Sequence, residues 1–214
     1  RFMSKVLVLI PCYNEKSSLL KILKKIRQKV VIMDDCSTDG LSKEIKKLKN
    51  KNLKIISSKK RCGYEKNLLK GFQKVIKTSY EYVITFDADG EHDTKDLLRM
   101  KRYLSSNKVD LLIGVRKNKN RFIEKLVSFF FKMFLKIEDP LSGFKAYRVK
   151  KLKELIFKIK GNYFLVDIIT LFKKKELLIK SIPVKSKILG DRKSRVGNEV
   201  FVNLKILRCL RLLI

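Results

Sequence analysis

The sequence predicts an α/β fold in which helices cover both faces of a mostly parallel central sheet. Short apolar, β-prone runs recur along its 214 residues. Between them lie segments with apolar residues at helical spacing and lysines elsewhere, so strand and helix alternate. The residues with chemical potential, among them Asp35, Asp87, Asp89 and Arg116, each follow the end of such a strand. Open α/β sheets gather their ligands at that end.

Val6-Leu7-Val8-Leu9-Ile10 is a continuous apolar run closed by Pro11, the pattern of a buried parallel strand. Ser17 to Val30 carries Leu19, Leu20, Leu23 and Ile26 on one side and reads as a helix. Val30-Val31-Ile32-Met33 is a second strand, ending at Asp34-Asp35. Ser42 to Leu48 reads as a helix, Leu53 to Ser57 as a short strand and Tyr64 to Thr78 as another helix. Tyr82 to Phe86 is the next strand, Asp96 to Leu104 a helix, and Asp110 to Val115 a strand followed by Arg116. Phe122 to Ile137 sets Phe129-Phe130-Phe131 and Phe134 among lysines, an apolar side too wide for an ordinary surface helix. It packs on the sheet, sits in a membrane interface or lines a lipid groove.

Asp139-Pro140-Leu141-Ser142-Gly143-Phe144 makes a turn before a basic helix over Val149 to Lys160. Gly161 to Lys173 starts as a loop and becomes a helix bearing Asp167. Leu177 to Val184 is an edge or terminal strand with Pro183 near its end. Asp191 to Gly197 is a dense cationic loop, and Glu199 to Ile214 has amphipathic spacing. No apolar run reaches the length of a bilayer span.

A net charge of +31 favours anionic partners: nucleic acid, an anionic membrane surface or phosphorylated substrates. The lysines are spread through nearly every segment, with no zinc-finger pattern, aromatic RNA-binding motif or compact Arg-rich arm, which argues against nucleic acid. Four scattered cysteines without CxxC spacing read as reduced side chains. A single histidine, His92, excludes a multi-histidine metal centre and reads as a loop neighbour rather than a ligand. Neither GxGxxG after the first strand nor a GxxxxGK loop is present. Residues 2–10 do not make a secretory signal.

The chemistry concentrates around Asp87-Ala88-Asp89-Gly90-Glu91. Alternation along an extended chain would point Asp87, Asp89 and Glu91 the same way. Three carboxylates so close need a compensating cation, and oxygen ligands favour Mg²⁺ or Mn²⁺ over zinc. Such an ion suits a diphosphate leaving group. Asp35 is placed to accept from a nucleobase N–H or to cap its own turn, with Pro11, Tyr13 and Glu15 as a neighbouring wall. Arg116, Arg192 and Arg195 clamp phosphates or are surface cations. Asp139 serves as general base if the acceptor is a hydroxyl; a phosphate acceptor is already anionic and leaves it an orienting role.

In order along the chain, Leu9 to Glu15, Asp34-Asp35-Cys36-Ser37-Thr38-Asp39-Gly40, Asp87-Ala88-Asp89, the Asp139 to Phe144 DxxSGF element, and Arg192 with Ser194-Arg195 resemble the motifs of family 2 glycosyltransferases. Within that family they resemble the dolichyl or polyprenyl phosphate mannose and glucose synthases. The resemblance spans about residues 5 to 197. It implies a glycosyltransferase-A fold, a Rossmann-like, mostly parallel sheet, and an inverting hexose transfer from a GDP- or UDP-sugar to a polyprenyl phosphate. By that likeness Pro11, Tyr13, Glu15, Asp35, Asp87 and Ala88 contact the nucleotide, and Asp87, Asp89 and Glu91 organise Mg²⁺ or Mn²⁺. Asp89, Asp139 and Arg116 are then the catalytic set, and Arg116, Arg192, Ser194 and Arg195 hold donor or acceptor phosphate. Relatives have Gln at the position of Glu91 and Gly at that of Cys36.

The expected organisation is a catalytic domain over 1–197, with a nucleotide-binding half at about 5–116 and an acceptor half at about 117–197. Residues 198–214 form an amphipathic helix or begin a membrane-proximal region. The expected place is peripheral, on the cytoplasmic face of a membrane. Two rivals stay open: the same fold with a hydroxyl acceptor in glycan or polysaccharide synthesis, and a noncatalytic basic module that binds nucleic acid.

Overall fold

The computed structural model describes residues 4–117, 122–159 and 164–187. The elements run β1 (Val6–Cys12), α1 (Lys16–Leu23), β2 (Lys29–Asp34), α2 (Leu41–Lys47), β3 (Leu53–Ser57), α3 (Tyr64–Val75), β4 (Tyr82–Thr85) and α4 (Thr94–Ser106). They continue with β5 (Leu111–Arg116), α5 (Phe122–Leu135), β6 (Lys145–Arg148), α6 (Val149–Leu155), a 3-10 turn (Ile156–Lys158), α7 (Phe164–Lys174) and β7 (Ile179–Val184).

Seven strands form one sheet in the order β3-β2-β1-β4-β6-β5-β7. β6 alone runs antiparallel to its neighbours, pairing with β4 and β5, and the other pairings are parallel. The expected mostly parallel sheet is therefore present.

Strand alternation sorts the apolar residues onto two faces. Val6, Val8 and Ile10 of β1 face α1, α2 and α4, where Leu19, Ile22, Leu41, Ile45, Leu97 and Met100 complete one core. Leu7 and Leu9 face the opposite layer of α3, α6 and α7, with Leu68, Phe72, Leu152, Phe164, Ile169 and Phe172. Helix α3 comes close enough that a Cβ on Gly71 would stand 2.9 Å from Leu9 and Met33.

Three elements differ from expectation. Strand β1 runs on through Pro11 to Cys12. Leu9 accepts from Phe86 N on the β4 side, so Pro11, two residues on, turns its missing N–H to the same side. There β4 pairing has ended at Thr85, and the missing donor costs nothing. Helix α1 stops at Leu23 rather than near Val30, because the chain must reverse before β2 starts at Lys29.

The third difference is β6, expected only as a link between a turn and a basic helix. Its four residues begin and end on cations, and only the flanking strands reveal it. Residues 188–214, including the cationic loop and the tail, lie outside the described residues.

Candidate active site

The parallel strands end at one rim. β1, flanked by β2 and β4, is where the connections diverge to opposite sides, the place where open α/β sheets leave a crevice. The first two loops are knitted together. Asn14 N donates to Ser37 Oγ at 2.9 Å, Thr38 N to Asn14 Oδ1 at 2.8 Å and Lys16 N to Asp39 Oδ2 at 2.8 Å. Asp34 caps its own turn by accepting from Ser37 N at 3.0 Å. Cys36 adopts a left-handed φ of 65°, a conformation that glycine takes without strain. Glu15 sits at the N-cap of α1.

Asp35 is buried, and its carboxylate accepts from Cys62 N and Gly63 N, each at 2.8 Å, and from Cys62 Sγ at 3.1 Å. One residue further, Tyr64 OH donates to Asp87 Oδ1 at 2.9 Å. The start of α3 thus bridges the two acids and fixes them at one rim. Arg61, just before this bridge, stacks its guanidinium over Tyr13 at 4.1 Å. Pro11 and Ala88 are buried, Ala88 within the core.

The expectation for the acidic triplet needs correction. Strand β4 ends at Thr85 and residues 88–90 form a turn, with Gly90 at φ 86°. Alternation therefore does not carry through to Glu91. Asp89 Oδ1 accepts from Glu91 N at 2.9 Å, while the Glu91 carboxylate turns to Arg116, 3.6 Å from Nη1. Among the described residues no group of three or more His, Cys, Asp or Glu is arranged to hold a metal ion. Asp87 lies against the DxxSGF loop so closely that a Cβ on Gly143 would sit 2.0 Å from its Oδ2. Only glycine fits there.

Arg116 and Asp139, expected as a phosphate ligand and a base or orienting group, are bound to each other. Asp139 is fully buried and receives Arg116 N, Nε and Nη2 at 3.1, 3.0 and 3.1 Å. Glu124 of α5 approaches the same guanidinium at 3.4 Å. Burial opposes the arginine's charge, but Asp139, Glu124 and Glu91 outweigh it and hold its pKa above the ordinary value. In this state Asp139 offers no open carboxylate to an acceptor, and Arg116 spends two of its side-chain donor groups on Asp139.

Burial sets the other proton affinities. It raises Asp87, although Tyr64, Arg116 and Lys145 pull the other way. It pushes Glu91 up to about 7 against the pull of Arg116. His92, packed near Phe86 and Phe144, is pushed down to about 4 by burial, with Arg116 adding to the effect. Its Nε2 lies 3.7 Å from Asp87 Oδ2, and neither ring nitrogen makes a hydrogen bond among the described residues.

Lys145, which sequence reasoning passed over, is fully buried under this loop. Its Nζ donates to the carbonyls of Pro140 at 2.8 Å and Ser142 at 2.5 Å. Burial brings it down to about 7, against the stabilising charges of Asp139 and Asp87. Thr85 Oγ1 reinforces the loop by donating to Gly143 O at 2.6 Å. One lysine among 52 basic residues carries no signal of its own. Arg61 and Tyr64 likewise had none beyond lying before and within a predicted helix. Arg192, Ser194 and Arg195 lie outside the described residues.

The sequence profile of the family described as "Glycosyl transferase family 2" matches residues 7–156. An uncharacterised protein of Methanocaldococcus jannaschii is 28% identical over 172 residues, spanning 71% of this chain and 75% of the relative. The undecaprenyl-phosphate mannosyltransferase of Micrococcus luteus is 25% identical over 185 residues, 76% of this chain and 75% of that protein. Among solved structures, glucosyl-3-phosphoglycerate synthase from Mycobacterium tuberculosis, in complex with Mn²⁺, UDP and phosphoglyceric acid, superposes with a TM-score of 0.72. That likeness covers 98% of this chain and 77% of the other at 15% identity, and it shows the glycosyltransferase-A fold.

Proposed function

The chain belongs to glycosyl transferase family 2, and from that premise we propose that it transfers a hexose, with inversion, from a UDP- or GDP-sugar to a polyprenyl phosphate. The observation that carries this reading is the gathering of Asp35, Asp87 and Arg116 at one sheet rim through the Cys62–Tyr64 bridge and the β5 terminus. The nucleoside lies along Tyr13 and Arg61, and the diphosphate faces Asp87 and Asp89.

Asp87 and Asp89 fit a divalent cation that arrives with its diphosphate. Mg²⁺ commonly takes one or two protein carboxylates and completes its shell from substrate phosphates and water. Burial raises the Asp87 carboxyl even with Arg116 and Lys145 nearby, so a further cation at that oxygen would favour its charged form. A bound ion there supplies neutralisation of the leaving diphosphate. This chain's own residues orient the donor, and Arg116, steadied by Asp139, meets anionic oxygen with the donors left on Nη1.

The comparisons by themselves support transfer from a nucleotide sugar, and the solved structures lean towards a hydroxyl acceptor, since the similar synthase binds phosphoglyceric acid. Two features of this chain favour lipid phosphate. Asp139, the acid expected to act as base, is sealed under Arg116, which a phosphate nucleophile tolerates and a hydroxyl relying on that carboxylate does not. Helix α5 also exposes Phe122, Phe129, Met133 and Phe134 beside Lys125, Lys132 and Lys136. Aromatic and basic side chains on one helix face suit an anionic lipid surface. Among the described residues no helix is long and apolar enough to cross a membrane.

The test is a matrix of UDP- and GDP-sugars against polyprenyl phosphate and against hydroxyl acceptors, with and without Mn²⁺. Sugar on the lipid phosphate, lost in Asp89→Asn, supports the proposal. Transfer only to a hydroxyl selects the second reading. No transfer from any donor overturns both.

A further inference from the structure

Helix α5 has a narrow buried stripe. Val127, Ser128 and Phe131 are its buried positions, and Glu124 continues the same line one turn earlier. A carboxylate at the head of a core-facing stripe is costly unless it meets a cation. Glu124 meets Arg116 Nη2 at 3.4 Å, with its side chain only 13% exposed, and makes no hydrogen bond through Oε2 among the described residues. The other end of the α5 segment returns to the same guanidinium: Lys136 takes a left-handed φ of 59°, Ile137 is buried, and Asp139 binds Arg116 through both oxygens. Arg116 is therefore gripped from both ends of a helix that exposes an aromatic and basic face.

We propose that Glu124 is a positioning residue that couples the seating of α5 on an anionic lipid surface to the orientation of the Arg116 guanidinium at the transfer site. The inference rests on the lipid-facing reading of α5 given above. Seating the exposed face of α5 fixes the helix, the Glu124 carboxylate fixes one side of Arg116, and Asp139 fixes the other. Coupling between two sites through one such element is commonly worth 5- to 150-fold.

The experiment measures transfer to a short, water-soluble prenyl phosphate, with and without vesicles of phosphatidylglycerol and phosphatidylcholine, and separately measures vesicle binding by flotation. In the wild-type protein vesicles should stimulate transfer about tenfold. Glu124→Gln should float with vesicles as the wild type does, yet show stimulation within about twofold of none. Glu124→Asp, which keeps the charge on a shorter arm, should recover part of the ratio. A role confined to folding would lower both rates and leave their ratio unchanged. Equal flotation and equal stimulation in wild type and Glu124→Gln would overturn the coupling while sparing the lipid reading. Failure of the wild type to float would overturn the lipid seating itself, and the coupling with it. Flotation of the wild type without stimulation would also overturn the coupling.

Discussion

Replacing Asp139 by Asn should cost about 3 kcal/mol of folding stability. The figure follows from what the carboxylate holds. Asp139 is fully buried and accepts three N–H groups of Arg116 between 3.0 and 3.1 Å. An amide keeps one acceptor oxygen, enough for the backbone N–H and Nε of Arg116. It turns an NH₂ towards Nη2, however, and removes the negative charge. Neutralising one partner of a buried pair costs about 3–5 kcal/mol, chiefly for the cation left uncompensated. Glu124 at 3.4 Å and Glu91 at 3.6 Å still face the guanidinium, which sets the expected loss at the lower end.

Equilibrium urea unfolding near neutral pH, with an unchanged m value, measures this loss. A double-mutant cycle with Arg116→Met should return a coupling of about 2 kcal/mol. A loss below about 1 kcal/mol without coupling is what a solvent-screened surface pair gives, and that result would refute the reasoning.

Three further outcomes are expected. Cys36→Gly should stabilise the fold by up to about 1 kcal/mol, because the left-handed φ of 65° strains any residue with a Cβ. Cys36→Ala should not, and equal melting temperatures for the two variants would remove strain as the cause. His92, the sole histidine, should titrate near 4 by proton NMR, and a midpoint near 6.5 would contradict its burial. With its folded pKa depressed, the unfolded chain takes the proton first. Its contribution is complete above about pH 6.5 and is lost as the pH falls towards 4, by ~3 kcal/mol at most. Glu91, with a folded pKa raised to about 7, works the opposite way over much of that range. His92→Phe should therefore withstand acid better than the wild type in urea melts at pH 5.

The parallel-sheet class is legible along the chain because its signals are local. A buried parallel strand is a local apolar run, a helix is a local period, and Asp35, Asp87 and Arg116 stand where such runs stop. These signals need no knowledge of distant residues. What those residues touch depends on contacts between distant parts of the chain. β6 exists because β4 and β5 lie on either side to receive four unremarkable residues. Lys145 is buried because that strand runs beneath the loop it holds. Glu91 faces Arg116 because a turn at residues 88–90 breaks the alternation that a linear reading extends. Asp139 meets Arg116 across 23 positions of chain. Pairings of that kind depend on the closure of long loops, and no local pattern of residue types records which loops close upon which.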